Sequence, residues 1–398
     1  MFRGGLDRGY EAGGVWAVLY DQAHRNRVGG LAAGAWLFGV IIPPSLAHGG
    51  RVLLNMLCAV ANSRYRLRCS ALKKSLFAAG VSLGVLGIAH ATEGGASLYL
   101  PGLHGPGAGF IPPPGFYFEA DVYSYSGRTS ASLQTPLGGA VLGNVAVEAR
   151  AAFFTPTWVL PGEILGGNLA IGVSLPIGLP IVSAGVVLAS TRLNHPIGFS
   201  ERDATFNIGD PIMTAALGWH SGKFHWSTAA SVSIPAGAYQ PGELSNLAFN
   251  RWIGDFSGAL TYLDPALGLD ISGTIGFEVN GVNRATDYRS GNGFHADLSI
   301  SKNLNKEWSV GLLAGHYQQL TGDSGSGATV GPHKGRVTAV GGTVGYSFEL
   351  AGTPISTRLK LLREVEVSNR AQGTIVLFTI ALPLMSASNH ASKPSIGK

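Results

Sequence analysis

Residues Leu267–Asn280 read LGLDISGTIGFEVN, and the alternation in that stretch is strict. Leu267, Leu269, Ile271, Ile275, Phe277 and Val279 take the odd positions, with Gly273 the one gap. Gly268, Asp270, Ser272, Thr274, Gly276, Glu278 and Asn280 take the even ones. Successive side chains of a strand point to opposite faces, so this strand has one apolar face and one that carries two carboxylates. A single strand of this kind fits any half-buried sheet; recurrence is what decides the fold.

The pattern recurs through the last three-quarters of the chain. Phe224, Trp226, Thr228, Ala230, Val232 and Ile234 alternate with His225, Ser227, Ala229, Ser231 and Ser233. Phe294, Ala296, Leu298 and Ile300 alternate with His295, Asp297, Ser299 and Ser301, and Ile355, Thr357, Leu359 and Leu361 with Ser356, Arg358 and Lys360. Strands are expected over residues 115–126, 144–158, 168–190, 210–220, 223–235, 251–263, 266–280, 293–302, 306–319, 334–350, 353–365 and 373–384, the third divisible at Gly178–Pro180.

Short and long connections alternate between them. Ser221-Gly222, Asp264-Pro265, Asn303–Asn305 and Ala351-Gly352 are tight links of turn-forming residues, whereas 127–143, 191–209, 236–250, 281–292 and 320–333 are long. Short periplasmic turns and long extracellular loops characterise outer-membrane barrels. The expected fold is therefore all-β, a transmembrane antiparallel up-and-down barrel of about twelve to fourteen strands. Only closure removes the unpaired edges that hydrocarbon does not tolerate. The apolar face would meet outer-membrane lipids and the polar face the lumen. Trp158, Trp219, Trp226, Trp252, Trp308 and Tyr262 near strand ends suit interfacial girdles.

Charged residues make up only 13% of the chain, low for a soluble protein, and glycine is abundant at 58 residues. The net charge of +5 arises upstream, because residues 1–91 hold ten Lys/Arg against three Asp/Glu. From Thr92 the balance reverses, so no nucleic-acid partner follows from the basic pI. Both cysteines, Cys58 and Cys69, are also upstream, leaving the remainder without disulfides or thiolate metal sites.

Arg64, Arg66, Arg68, Lys73 and Lys74 precede the apolar run Ser75–Ile88, which ends in Ala89-His90-Ala91. That is the form of a secretory signal cleaved after Ala91. The expected organisation is an upstream extension over 1–55, a signal peptide over 56–91, a barrel over 92–384 and a polar tail over 385–398. Export then requires the barrel-assembly machinery as a partner.

Several segments resemble the outer-membrane family named for the meta-cleavage pathway of phenol degradation. They are Glu93–Ser97 followed by Pro112–Tyr117, Leu217–His220, Thr261–Leu263, Asp287–Gly291 with Phe294-His295, Tyr317–Gln319, Lys334–Arg336 and Asn369–Gly373. The resemblance runs from about residue 93 to 384. It implies an outer-membrane channel or transporter for small hydrophobic or aromatic compounds, with passive uptake linked to catabolism. A non-transporting surface barrel with a binding or structural role is the alternative, and an outer-membrane lipid hydrolase the third reading.

The candidate lumen and transport residues are Tyr117, Glu119, Asp121, Tyr123, Arg150, His225, Asp255, Asp270, Glu278, Asp297, Arg336, Arg358 and Lys360. Opposed charges on a barrel wall orient a solute, and Tyr117, Tyr123 and Tyr125 offer stacking surfaces. A polar lumen requires such residues for solvation alone. Gly322-Asp323-Ser324-Gly325 superficially resembles a serine-protease nucleophile segment, but it stands in a Gly/Ser-rich loop. No P-loop, GxSxG elbow or HExxH motif occurs, so no catalytic residue, cofactor or metal is expected. A barrel of this size is too narrow for a wide pore, which predicts a constricted or loop-plugged path.

Overall fold

A computed structural model describes residues 93, 97–135, 139–190, 197–241, 243, 245–328 and 331–386. The expected extension and signal peptide lie outside the described residues, as does the tail beyond Ser386.

The described chain is a closed, antiparallel, twelve-stranded barrel without helices. Its wall strands are β1 (Gly115–Thr135), β2 (Gly139–Val159), β3 (Asn168–Ser190), β6 (Ile212–Ser221), β7 (Phe224–Ser233), β8 (Ile253–Asp264), β9 (Leu269–Asn280), β12 (Gly293–Asn303), β13 (Trp308–Gln319), β14 (Arg336–Leu350), β15 (Thr353–Ser368) and β16 (Gln372–Ser386); the short β4 (Ile197–Ala204) and β5 (Asn207–Ile208) lie along β3, and β10 (Val282–Asn283) pairs with β11 (Tyr288–Arg289) in the β9–β12 connection. Each wall strand pairs with its neighbour in chain order, and β1 pairs with β16 from Gly115↔Ser386 to Arg128↔Gln372 to close the ring. Every expected strand therefore has a counterpart.

Three details differ from the sequence reading. β3 is continuous through Gly178–Pro180, and it is its partner that is broken: β4 (Ile197–Ala204), β5 (Asn207–Ile208) and β6 pair successively along β3. Gly209-Asp210-Pro211 interrupts that partner, since proline cannot donate to a ladder. The buried Asp210 carboxylate secures the break by accepting from the backbone N–H groups of Gly237 (2.8 Å), Phe249 (2.7 Å) and Asn250 (2.9 Å), which ties down the β7–β8 connection. Thirdly, residues 127–143 are not a long loop. β1 and β2 continue as a hairpin from Gly115↔Val159 to Thr135↔Gly139.

The dyad pattern sorts the faces as expected. In β9, Ile271, Ile275, Phe277 and Val279 are exposed outward, while Ser272, Thr274, Glu278 and Asn280 are buried inward. At the short-turn end, outward rings pair across strands. Phe116 stacks on Trp158 at 5.4 Å, Phe224 lies 5.2 Å from Tyr262, and Trp308 lies 4.6 Å from Tyr346. Trp219 and Trp226 join them, forming an aromatic belt at the short-turn end of the kind found at membrane interfaces.

Inward-facing glycines make room for large inward rings. A Cβ on Gly276 would lie 2.3 Å from the His295 ring, and one on Gly293 would lie 2.6 Å from Tyr317. Tyr125 covers Gly127 and Gly373 in the same way. Glycine in a strand is otherwise costly, so these positions trade propensity for packing inside a narrow barrel.

Candidate functional site

The lumen is occupied by a strap of the chain itself, the segment that leads into β1. Residues 97–114 enter among the long loops and descend along the inner wall to β1 at the short-turn end. Near the top, Glu278 on β9 accepts from the backbone N–H of Leu98 at 2.9 Å and of Tyr99 at 3.4 Å. Lower down, Ser272 on β9 accepts from Gly107 N–H at 3.0 Å, and Thr261 on β8 from Gly109 N–H at 2.9 Å. Phe110 packs edge-on against His225 at 5.1 Å. Tyr117 donates back to the Pro113 carbonyl at 2.7 Å, turning the segment into the barrel wall.

The tightest hold is halfway along, at the turn Tyr99–Gly105. On one wall, Asp297 of β12 accepts from the Tyr99 hydroxyl (2.7 Å) and the Gly102 N–H (3.0 Å), and pairs with His104 Nδ1 (3.1 Å). From β15 the Lys360 ammonium donates to the carbonyls of Gly102 (2.9 Å) and Leu103 (2.7 Å). Gly102 is thus gripped at both its N–H and its C=O. Its φ of 81° lies in the left-handed region, and a Cβ there would meet Leu362 at 2.8 Å, so no other residue suits the turn.

The lumen walls differ in chemistry. The β7–β8–β9–β12 side is polar, with Ser227, Asp255, Thr261, Ser272, Thr274, His295, Asp297 and Ser299 buried beneath the strap. His295 holds Asp255 at 2.7 Å and stacks on Tyr99 at 4.3 Å. The opposite side is apolar. Tyr123, Leu313, Ala339, Leu362, Ile375 and Leu377 form a cluster against which Leu100 of the strap, Tyr125 and Phe153 pack. A polar lumen was expected; this apolar cluster interrupts it with residues from β1, β13, β14, β15 and β16, although β15 also turns Lys360 and Glu364 inward.

Most of the candidate residues face inward. Glu119 and Asp121 point into the lumen from β1, and Asp121 accepts from Thr379. Arg358 and Asp270 attract one another across the lumen, and Asp270 also accepts from Ser272 at 2.7 Å. Tyr123 belongs to the apolar cluster rather than to an open stacking surface.

Two candidates are corrected. Arg150 lies opposite Ser124 on the outward face and pairs with Glu148 at 3.9 Å. Arg336 is likewise outward and pairs with Glu366 at 2.8 Å. Both sit towards the long-loop end, where the outer face of the wall is polar (Ser124, Ser126, Arg128). Charge there is solvated on the outside, so parity with the lumen was the wrong inference.

Tyr99 and His104 of the strap are absent from the sequence-derived candidates, as are Glu93 above it and Arg251. The contacts that join them across the lumen and its mouth link residues 146 to 198 positions apart, without periodicity to reveal them. The loop Gly322–Gly325 is structural, with Asp323 accepting from Gly291 N–H (2.9 Å) and the Tyr288 hydroxyl (2.6 Å). Burial and this bond to Asp323 push the Tyr288 hydroxyl's pKa upward, so it remains a neutral donor. His295 and Asp255 have the spacing of a catalytic dyad. Among the described residues, however, no hydrogen-bond partner reaches His295 Nδ1, so no serine is aligned with it. Nor does any group of three or more His, Cys, Asp or Glu among the described residues hold metal-binding geometry.

Comparison with known proteins fits this architecture. The fold is that of an outer-membrane β-barrel, matching the COG4313 outer membrane channel from Pseudomonas putida F1 with a TM-score of 0.53 at 16% identity, over 69% of this chain and 96% of that one. A Pseudomonas aeruginosa FadL homologue matches more distantly, with a TM-score of 0.36 at 10% identity over 70% and 92% of the two chains. No curated protein matches the sequence. The chain belongs to the family described as "Putative MetA-pathway of phenol degradation", whose model matches residues 130–380.

Proposed function

We propose that this protein is an outer-membrane channel through which small hydrophobic or aromatic compounds enter passively, and that residues 97–114 form its gate. The observation that carries the reading is how the lumen is filled. A barrel built only as a scaffold would close its interior with side chains from its own strands. Here a separate segment fills it, held largely by hydrogen bonds from single side chains and therefore removable without unfolding the wall. With the segment displaced, a solute would meet an apolar wall at Tyr123, Phe153, Leu362 and Leu377, facing a polar wall at Asp255, Thr274 and Asp297. That division suits aromatic molecules carrying a polar substituent.

The chain would reach the outer membrane with a signal cleaved near Ala91 and would be inserted by the barrel-assembly machinery. The filled lumen also favours the second reading, a non-transporting surface barrel. Liposome swelling with benzyl alcohol separates the two. Flux from folded protein that increases when residues 97–111 are deleted supports the channel, and absence of flux from both forms refutes it.

A further inference from the structure

Above the strap, Glu93 sits in a pocket built by two connections at the long-loop end, β7–β8 and β9–β12. Its carboxylate accepts from Asn283 Nδ2 at 3.0 and 2.9 Å, from the Thr286 hydroxyl at 2.6 Å and from the Tyr239 hydroxyl at 3.4 Å. Arg251 Nη1 lies 3.6 Å away as its ion-pair partner. The donors are themselves positioned. The Asn283 carbonyl oxygen accepts from Asn250 Nδ2 (2.8 Å) and Ala285 N–H (3.0 Å), which turns its amide N–H₂ towards the carboxylate. Burial, reinforced by the Glu93 charge, raises the pKa of the Tyr239 hydroxyl, so it too stays a donor.

Arg251 is the unusual member. It is 2% exposed, lies over the Phe249 ring at 5.2 Å and donates through Nε to Asn280 at 3.0 Å. Its Nη2 is buried, with no hydrogen-bond partner among the described residues. A buried guanidinium with a spare nitrogen is costly unless an acceptor completes it, and a planar carboxylate is the acceptor whose geometry its fork matches. Glu93 supplies only a 3.6 Å contact to the other nitrogen. The other acid close by, Glu278, is committed to Leu98 N–H, Tyr99 N–H and Asn280.

We infer that Arg251, Asn283, Thr286 and Tyr239 form a receptor for the carboxylate of an incoming aromatic acid, and that Glu93 is the resident stand-in for it. A solute carboxylate that engages both terminal nitrogens of Arg251 displaces Glu93 and releases the top of the strap. Substrate capture and gate opening are then one exchange of carboxylates. This inference rests on the channel reading and names a ligand class for its mouth.

The test uses the full secreted chain, folded in detergent, with benzoate and its neutral counterpart benzamide as probes in calorimetric titrations. Wild-type protein should bind benzoate more tightly than benzamide. Glu93→Gln, which weakens the stand-in while leaving the wall intact, should tighten benzoate binding about tenfold and leave benzamide unchanged. Asn283→Leu should weaken benzoate binding by a similar factor. Equal affinity for the two probes, or a benzoate affinity that Glu93→Gln does not change, overturns the inference. Benzyl alcohol flux into liposomes is read in parallel. Flux without a benzoate preference refutes the receptor and spares the channel. Benzoate preference without flux supports the receptor and refutes the channel.

Discussion

Asp297→Ala should open the lumen. The Asp297 carboxylate carries the Tyr99 hydroxyl, the Gly102 N–H and His104, whereas the other acid on that turn, Glu278, takes only the long 3.4 Å bond from Tyr99 N–H. Hydrogen bonds to a charged acceptor contribute about 1.5–3 kcal/mol each. The His104 contact counts for less, since its side chain is 34% exposed and water replaces the lost partner. Tyr99 and Gly102 are buried, so their donors would lose their acceptor without easy replacement while docked. The docked strap should therefore weaken by about 3–4 kcal/mol, which multiplies the undocked fraction by two to three orders of magnitude. Single-channel recording in planar bilayers reads this directly, as brief rare openings in the wild type against long or continuous ones in the variant. Heat-modifiable migration on a gel establishes that the variant barrel is folded. A folded Asp297→Ala protein whose conductance and open time equal those of the wild type would refute the assignment of the strap as the gate.

Four further outcomes follow from the same geometry. Leu103→Cys with Lys360→Cys, joined by a reducible crosslinker, should abolish solute flux until reductant is added; the chain from Thr92 onward has no cysteine to confuse the result. Ile275→Arg, on the outward face at 62% exposure, should lower the stability of the lipid-embedded barrel by about 2–4 kcal/mol in denaturant titrations, and a change near zero would remove that position from the hydrocarbon. Gly276→Ala would drive a methyl into the His295 ring and cost about 1–3 kcal/mol, seen as an earlier heat-modification transition; an unshifted transition would show that the ring has room to move. Arg358→Glu should alter the ion selectivity of the opened channel, whereas Arg336→Glu on the outer face should leave it unchanged, and reversal of that order would invalidate the face assignment of β14 and β15.

The barrel was legible because lipid and lumen impose opposite polarities on adjacent residues, and Leu267–Asn280 carries that signature without interruption. Legibility ended where the outer solvent changed. Towards the long-loop end of β1 the outward positions are Ser124, Ser126 and Arg128, so the strand loses its dyad contrast although its pairing with β2 continues. Residues 127–143 consequently resembled a loop. The same change of solvent misplaced Arg150 and Arg336, whose charges are satisfied by Glu148 and Glu366 on the outer face. Hydrophobic periodicity reports what surrounds a strand, and says nothing about a strand with water on both sides.

The strap was hidden for a different reason. Nothing in residues 97–114 alternates, because the segment follows the lumen axis in successive turns, with backbone bonds such as Leu103 N–H to Leu100 (3.0 Å) and Phe110 N–H to Gly107 (2.8 Å). Its partners were nevertheless among the candidates. Asp297, Glu278 and Lys360 were selected as inner-wall charges able to orient a solute, and each proves to hold a backbone group of the strap. The charges expected to act on a solute act, in this structure, on the chain's own peptide groups. A wall that binds peptide dipoles so closely remains fully polar once they leave, and the apolar cluster around Tyr123 then loses Leu100. In the proposed channel, opening would therefore uncover both chemistries together, the condition for passing molecules that are hydrophobic along one side and hydrogen-bonding along the other.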